Sequence, residues 1–424
     1  IMAPRSFSAV NKVLGMSGLV LLSVMGNTAM ADVAGTAPEA ESVVDMLSEG
    51  TVSGSLRMRY YTDKNAYFVK DLNQDTAGYG GFVKYETAAL NGFKLGGSLI
   101  YQRTFNRPDD KGSVIPDIGT NVTNIGEAYV SWEHDAFKIT AGNQRVQLPW
   151  TSDYDWRVVP VLFQGVNVHY GNDDDFLSLA RLYRWKGWAD DGFSRNSMYS
   201  TDEKTAGMWS LGGGRSVTVN GLKYSGQLWR QHYYDYTNVS YGEGHVSAVS
   251  GDFRPNAGLQ YIRGTGDGRE LAGTVDNTTL GFQAGFDYKA YKVALGYDHI
   301  KAAPGAYNNG SLVTPYAHNM SSGPYFAQPY FTSTQDLGAG NAYSLDVSTG
   351  AIQNLFLGAR YSFMDLTAVA GTASLNQSEY LLYGIYNFAG ALKGLSVAEW
   401  VGVQTSPARD TRFFQNRLEV SYNF

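Results

Sequence analysis

The chain has 424 residues, a formal net charge of −6, 49 glycines, 30 tyrosines, 20 phenylalanines and no cysteine. Without cysteine there is neither a disulfide framework nor a thiolate metal site. An acidic chain with no Lys/Arg block offers nothing for nucleic-acid phosphate. Abundant glycine and aromatics beside only 12 prolines describe many strands, tight turns and aromatic girdles.

Taken from the start, Arg5 and Lys12 precede an apolar stretch over 13–26 and then Ala29-Met30-Ala31. This is the layout of a secretory signal peptide with a small-x-small cleavage site. The apolar stretch is shorter than the ~20 residues that a spanning helix needs. We therefore expect residues 1–31 to be a signal peptide read by the general secretory route. Residues 32–50 then form a short periplasmic segment, in which 39–49 make one amphipathic helical turn. No later apolar run is long enough to span as a helix. Lipid tolerates only helices and closed sheets, so a membrane location for 51–424 requires a barrel.

The rest alternates with period two. In 51–62, Val52, Leu56, Met58 and Tyr60 share one parity, while Ser53, Ser55, Arg57, Arg59 and Tyr61 take the other. The first set suits lipid and the second a wet lumen. The pattern recurs over 93–101, entered by the hairpin signal Asn91-Gly92, and over 127–133 with 137–141 around His134-Asp135. It recurs again over 280–288 with 291–297 around Lys289-Ala290, and over 355–363. Gly212-Gly213-Gly214 and Asp173-Asp174-Asp175 read as turns, since neither has the context of a phosphate or calcium loop. Longer polar segments fall at 105–121, 146–163, 187–205, 232–255, 302–342 and 366–377. Short turns at one rim and long loops at the other are the polarity of an outer-membrane barrel. At roughly 10 residues per strand the chain holds 16 to 18 strands, enough for an aqueous channel. The chain ends in an amphipathic strand with Leu418, Val420, Tyr422 and Phe424 on one face. Tyr422 and Phe424 are the expected recognition signal for the barrel assembly machinery.

Selection in such a channel comes from inward charge in a confined space. By parity, Arg57, Arg59, Lys84, Lys223, Lys292, Arg360 and Arg417 face the lumen, opposed by Glu86, Asp287, Asp298 and Glu419. A row of guanidinium groups would pass a carboxylate from fork to fork without holding it tightly. Residues 145–163 break the period with two prolines, two tryptophans and a tyrosine among Asp153, Asp155 and Arg157. We expect this loop to fold inward as the constriction, with Arg145, Asp153, Asp155 and Arg157 setting its field. The six histidines, His134, His169, His232, His245, His299 and His318, show no metal-ligand spacing. No nucleophile and base can be paired from sequence, so neither an enzyme nor a bound cofactor is expected.

Gly142-Asn143-Gln144-Arg145 followed by Pro149, Asp155, Arg157, Pro160 and Phe163-Gln164-Gly165 resembles the third-loop region of the OprD-type porins, the outer-membrane carboxylate channels. Glu127-Ala128-Tyr129-Val130, Leu392-Lys393-Gly394-Leu395-Ser396-Val397 and Asn416-Arg417-Leu418 are also similar to that family. The resemblance implies an all-β transmembrane antiparallel barrel of 18 strands with an inward third loop. It also implies a basic ladder admitting small carboxylate-bearing solutes such as amino acids or organic acids. The chain departs from that pattern in its long loops 232–255 and 302–342, and the aromatic cluster 324–330 maps to no selectivity role. Two other readings stay open: a weakly selective general porin, and a barrel serving as surface receptor, adhesin or scaffold for a periplasmic partner. The expected partners are outer-membrane lipid, lipopolysaccharide, the assembly machinery and small solutes, with the chain a monomer or homotrimer.

Overall fold

The computed structural model describes residues 39–105, 114–317, 323–331, 338–367 and 376–424. The expected signal peptide 1–31, residues 32–38 and His318 lie outside the described residues. After a short helix at Val43–Ser48, capped by the Ser42 side chain, the chain runs as β1 (Thr51–Lys64), β2 (Gln74–Glu86), β3 (Phe93–Thr104), β4 (Val122–His134) and β5 (Phe137–Gln144). Two short strands, β6 (Gln147–Leu148) and β7 (Thr151–Ser152), pair only with each other. The chain continues as β8 (Leu162–Gly171), β9 (Phe176–Lys186), β10 (Met208–Val219), β11 (Leu222–Tyr233), β12 (Thr237–Ala248), β13 (Phe253–Gly266) and β14 (Asp276–Tyr288). It finishes with β15 (Tyr291–Ile300), β16 (Gly340–Ile352), β17 (Leu355–Leu366), β18 (Gln377–Asn387), β19 (Leu395–Thr405) and β20 (Phe413–Asn423).

Apart from β6 and β7, these strands form one 18-stranded antiparallel sheet in which β20 returns to pair with β1. The sheet is a closed barrel. Its seam extends to the last residue, where the Gly54 N–H donates to the Phe424 carbonyl at 2.9 Å and the Phe424 N–H donates back at 3.1 Å. The expected period-two faces are real: Leu56, Met58, Leu95, Leu99, Leu357 and Tyr361 are exposed on the outer wall, while Ser55, Arg59, Tyr61 and Ser362 are buried inside. Exposed aromatics border both rims, with Tyr85, Phe93, Tyr224 and Tyr288 toward the short turns and Tyr101, Tyr183, Tyr261 and Tyr343 toward the long loops. Asn91-Gly92 and Asn220-Gly221 take the paired positive φ values (51° and 80°, 50° and 78°) of type I′ hairpin turns.

Two expectations from the sequence are corrected. Residues 232–255 are not a long loop: they contain β12, reached by a three-residue turn from β11. The strand escapes notice because Val239 and Tyr241 point inward while Ser240, Gly242 and Gly244 face out. Its apolar side is reserved for the Trp150 ring, 5.3 Å from that of Tyr241. Likewise Gly212-Gly213-Gly214 is not a turn but the middle of β10. A Cβ on Gly212 would lie 2.1 Å from the Trp229 ring, so glycine there makes room for an aromatic. Asp173-Asp174-Asp175 does lie in the turn between β8 and β9.

Gly80 and Gly81 sit in the middle of β2 at φ 145° and 137°, and a Cβ on Gly81 would lie 1.8 Å from the Ser55 carbonyl oxygen. Gly81→Ala is expected to destabilise the barrel by about 1–3 kcal/mol, lowering the temperature at which the compact gel band converts to the unfolded one. Gly244→Ala has its nearest neighbour at 3.8 Å and should leave that temperature unchanged. Equal conversion temperatures would refute the strain assignment.

Candidate functional site

Strand parity turns Arg57 and Arg59 inward, since their neighbours Leu56 and Met58 face out. Across the ladder Arg57 stands opposite Gly80 and Arg59 opposite Gly78, leaving space for two guanidinium groups side by side. On β4 the register slips between the pairs Gly97–Ala128 and Leu99–Ile125. This bulge places Gly126 and Glu127 both on the buried side, and a bulge is the usual device for re-aiming a side chain. Glu127 thereby meets the Lys84 ammonium at 3.2 Å.

The third long loop, 145–161, folds into the barrel as expected. Its backbone closes on itself through Asp153 N–H to the Val146 carbonyl (2.9 Å) and Val161 N–H to the Asp153 carbonyl (2.7 Å). Val158 and Val159 are fully buried against Tyr61, Ile100, Ile118 and Val122. On the other side the Pro149 carbonyl accepts from Gln231 at 2.8 Å and the Tyr154 carbonyl from the Trp188 indole at 3.0 Å. Trp150 and Tyr154 have φ of 52° and 39°, a backbone region that costs bulky residues energy. Both rings are buried, and that packing over-determines the conformation.

The fold thus assembles one charged cluster. Asp155 is gripped by Arg145 at 2.8 Å and by Arg57 at 3.0 Å, and Arg145 also reaches Asp153 at 3.5 Å and Glu127 at 3.9 Å. Both guanidinium groups rest over the Phe82 ring, 5.3 Å and 4.5 Å from its centre. Arg145 is the most open member, with 25% of its side chain exposed against 7% for Arg57. Arg157 points elsewhere: it bonds Asp117 at 3.0 Å and lies over Tyr61 and Trp188. Burial raises the Asp153 carboxyl to about 6 despite the attraction of Arg145. Burial also opposes ionisation of Asp155, but Arg145 and Arg57 outweigh it and hold that group below the ordinary carboxylate range.

The seven cations expected to form an inward ladder, and Asp298 expected to oppose them, all face the lumen but do not make one continuous row. Arg57, Arg59 and Lys84 stand on the β1–β2 wall, with Arg59 paired to Glu419 at 3.4 Å. Arg417 lies between the Tyr61 and Phe331 rings. Lys223, paired with Asp174 at 2.5 Å, and Lys292 sit just past the short turns. Asp298 and Arg360 hold a second inward segment, 323–331, which contains the whole of the unassigned aromatic cluster. Asp298 accepts from the Ala327 N–H at 2.7 Å, Arg360 donates to the Gln328 carbonyl at 3.1 Å, and Glu379 accepts from the Tyr330 and Phe331 N–H groups at 2.7 and 3.1 Å. Sequence reasoning missed Glu127, Asp117, Phe82 and Glu379 as site residues. Only the family-like stretch at Glu127 signalled any of them.

A profile described as "outer membrane porin, OprD family" matches residues 127–424. This chain belongs to the OprD family of outer-membrane porins. The porin is similar in fold to a BenF-like porin from Pseudomonas fluorescens Pf-5 (TM-score 0.74, 16% identity, covering 89% of this chain and 99% of that one). Two Pseudomonas aeruginosa channels are also similar. OccK2 (OpdF) in complex with glucuronate gives TM-score 0.70 at 17% identity, and OpdK with vanillate gives 0.71 at 15%, each covering 89% of this chain and 99% of the other. No curated protein matches the chain significantly. As an OprD-family barrel the porin lies in the outer membrane of a Gram-negative bacterium, with its long loops outside the cell.

Because Asp153 takes up a proton as pH falls through about 6, the cluster gains positive charge on acidification. The anion-to-cation permeability ratio should therefore rise between about pH 7.5 and about pH 5. Asp153→Asn should show the acidic value throughout. Reversal potentials across a salt gradient measure this, and an identical pH response in both proteins refutes it.

Proposed function

We propose that this porin gives passive, substrate-selective diffusion of small hydrophilic solutes carrying a carboxylate, and that Arg145 on the inward third loop is the first group such a solute meets. The observation that carries this reading is the seating of Arg145 and Arg57 over one aromatic ring with their charge nearly balanced by Asp153, Asp155 and Glu127. Guanidinium offers forked donors to a carboxylate, and near-neutrality keeps the encounter brief. A channel needs exactly that compromise between entry and exit. In this reading Arg145, Asp153 and Asp155 form the constriction, Arg157 braces the loop, and the inward cations Arg57, Arg59, Lys84 and Arg417 flank the path. Glucuronate and vanillate, found with two similar channels, both carry a carboxylate.

Near-balance of charge taken alone suits a general porin with weak ion preference, and this is the second reading; the paired guanidinium groups of Arg145 and Arg57 over Phe82 are what favour the first. The receptor or scaffold reading loses most of its support, since 310–317 and the aromatic stretch 324–331 of the segment that motivated it are buried, while 302–309 stay open. Residues 1–31 act as a cleaved export signal and 32–50 as a periplasmic segment. Tyr422 and Phe424 present the assembly signal at the seam, and the porin works as a monomer or homotrimer without a cofactor.

Planar-bilayer recording tests the assignment. Arg145→Ala leaves Asp153 and Asp155 partly uncompensated and should shift the reversal potential toward cation permeability, by a factor of about 3–10 in the ratio for the loss of one confined charge. In liposome swelling, uptake of a small carboxylate should fall while uptake of the corresponding amide is unchanged. Equal loss of both, with unaltered ion preference, would favour the general porin.

A further inference from the structure

The outer wall across β10 to β14 is not smooth. A groove of about 1030 Å³ runs along it, walled by Leu228, Leu259, Tyr261, Leu280 and Phe282, all of which are exposed. Its floor is bare backbone, because Gly242 and Gly244, on successive outward positions of β12, line it, and Gly226 faces Gly244 from β11. None of these three glycines has a positive φ. A Cβ on Gly226 or Gly244 would meet only a carbonyl oxygen, at 3.3 or 3.8 Å. Neither turn geometry nor internal packing therefore accounts for the glycine at 244.

At the extracellular end of the groove stands a row of polar outward residues. Arg230 is paired with Ser240 and Ser240 with Arg263 in the strand register, so the two arginines are two strand spacings apart, about 10 Å. Arg230 donates to Ser240 at 2.6 Å and, among the described residues, makes no ion pair. Arg263 is paired with Asp276 at 2.5 Å. Both lie one outward position beyond the Tyr261 level, where the aromatic belt marks the membrane surface. A cation facing the lipid side is least costly at the interface and is favoured there when it meets an anionic head group.

We propose that this groove is a binding site for lipopolysaccharide. One acyl chain of its lipid A lies on the glycine floor, and a lipid A phosphate is met by Arg230, with Arg263 beside it. Charge and position point to this occupant: the cations stand at the extracellular interface, and the apolar trough extends from them toward the membrane interior. The site is on the opposite side of the wall from the solute path and does not depend on which solute the porin passes.

Native mass spectrometry of the full-length porin, extracted from outer membranes and exchanged into mild detergent, tests the assignment. The wild type should retain lipopolysaccharide, and Arg230→Gln should lower retention about fivefold, the factor expected for one interfacial cation. Gly244→Leu fills the trough and should lower it at least as far. Both variants should keep the wild-type gel conversion temperature, and lipid A stripped of its phosphates should fail to displace the bound lipid. Three results would each overturn the proposal: retention unchanged in both variants, displacement by phosphate-free lipid A as effective as by the intact form, or a wild-type oligomer that Gly244→Leu converts to monomers, which would make the groove an interface between copies.

Discussion

Hydrocarbon offers no partner to a backbone N–H or C=O, so every strand that crosses it must find both partners in other strands. In this chain that requirement is met only when β20 returns to β1, down to the reciprocal bonds between Gly54 and Phe424. Closure sets everything else. It gives each strand one lipid face and one lumen face, fixes which cations point inward, and encloses a space into which the loops can fold.

Inside that space the chain uses carboxylates in two ways. Asp155 and Glu127 neutralise the cations that could otherwise hold an anion too firmly. Asp298 and Glu379 instead accept backbone N–H groups of 323–331, anchoring a loop whose own peptide groups would otherwise be buried without partners. Charge that looks interchangeable in a list of inward residues is divided between conduction and scaffolding.

The outer wall is also specialised. Where β12 turns its aromatic side inward to pack on the third loop, it leaves small residues toward lipid. The inner packing and the outer groove are thus two faces of the same strand, and a change made for one is felt by the other.

The sequence by itself determined the barrel, its polarity, the terminal strand and the inward parity of the cations, because period-two alternation is written directly in neighbouring residues. It also marked 145–163, since a loop dense in Trp and Pro needs a surface to cover. Tertiary structure alone decided the rest. The bulge that aims Glu127 into the lumen depends on pairing with β3. The division of the inward charges into separate groups depends on which loop reaches each of them. β12 was illegible because its inward face is dry: alternation predicts a wet lumen, and burial under a folded-in loop inverts the rule.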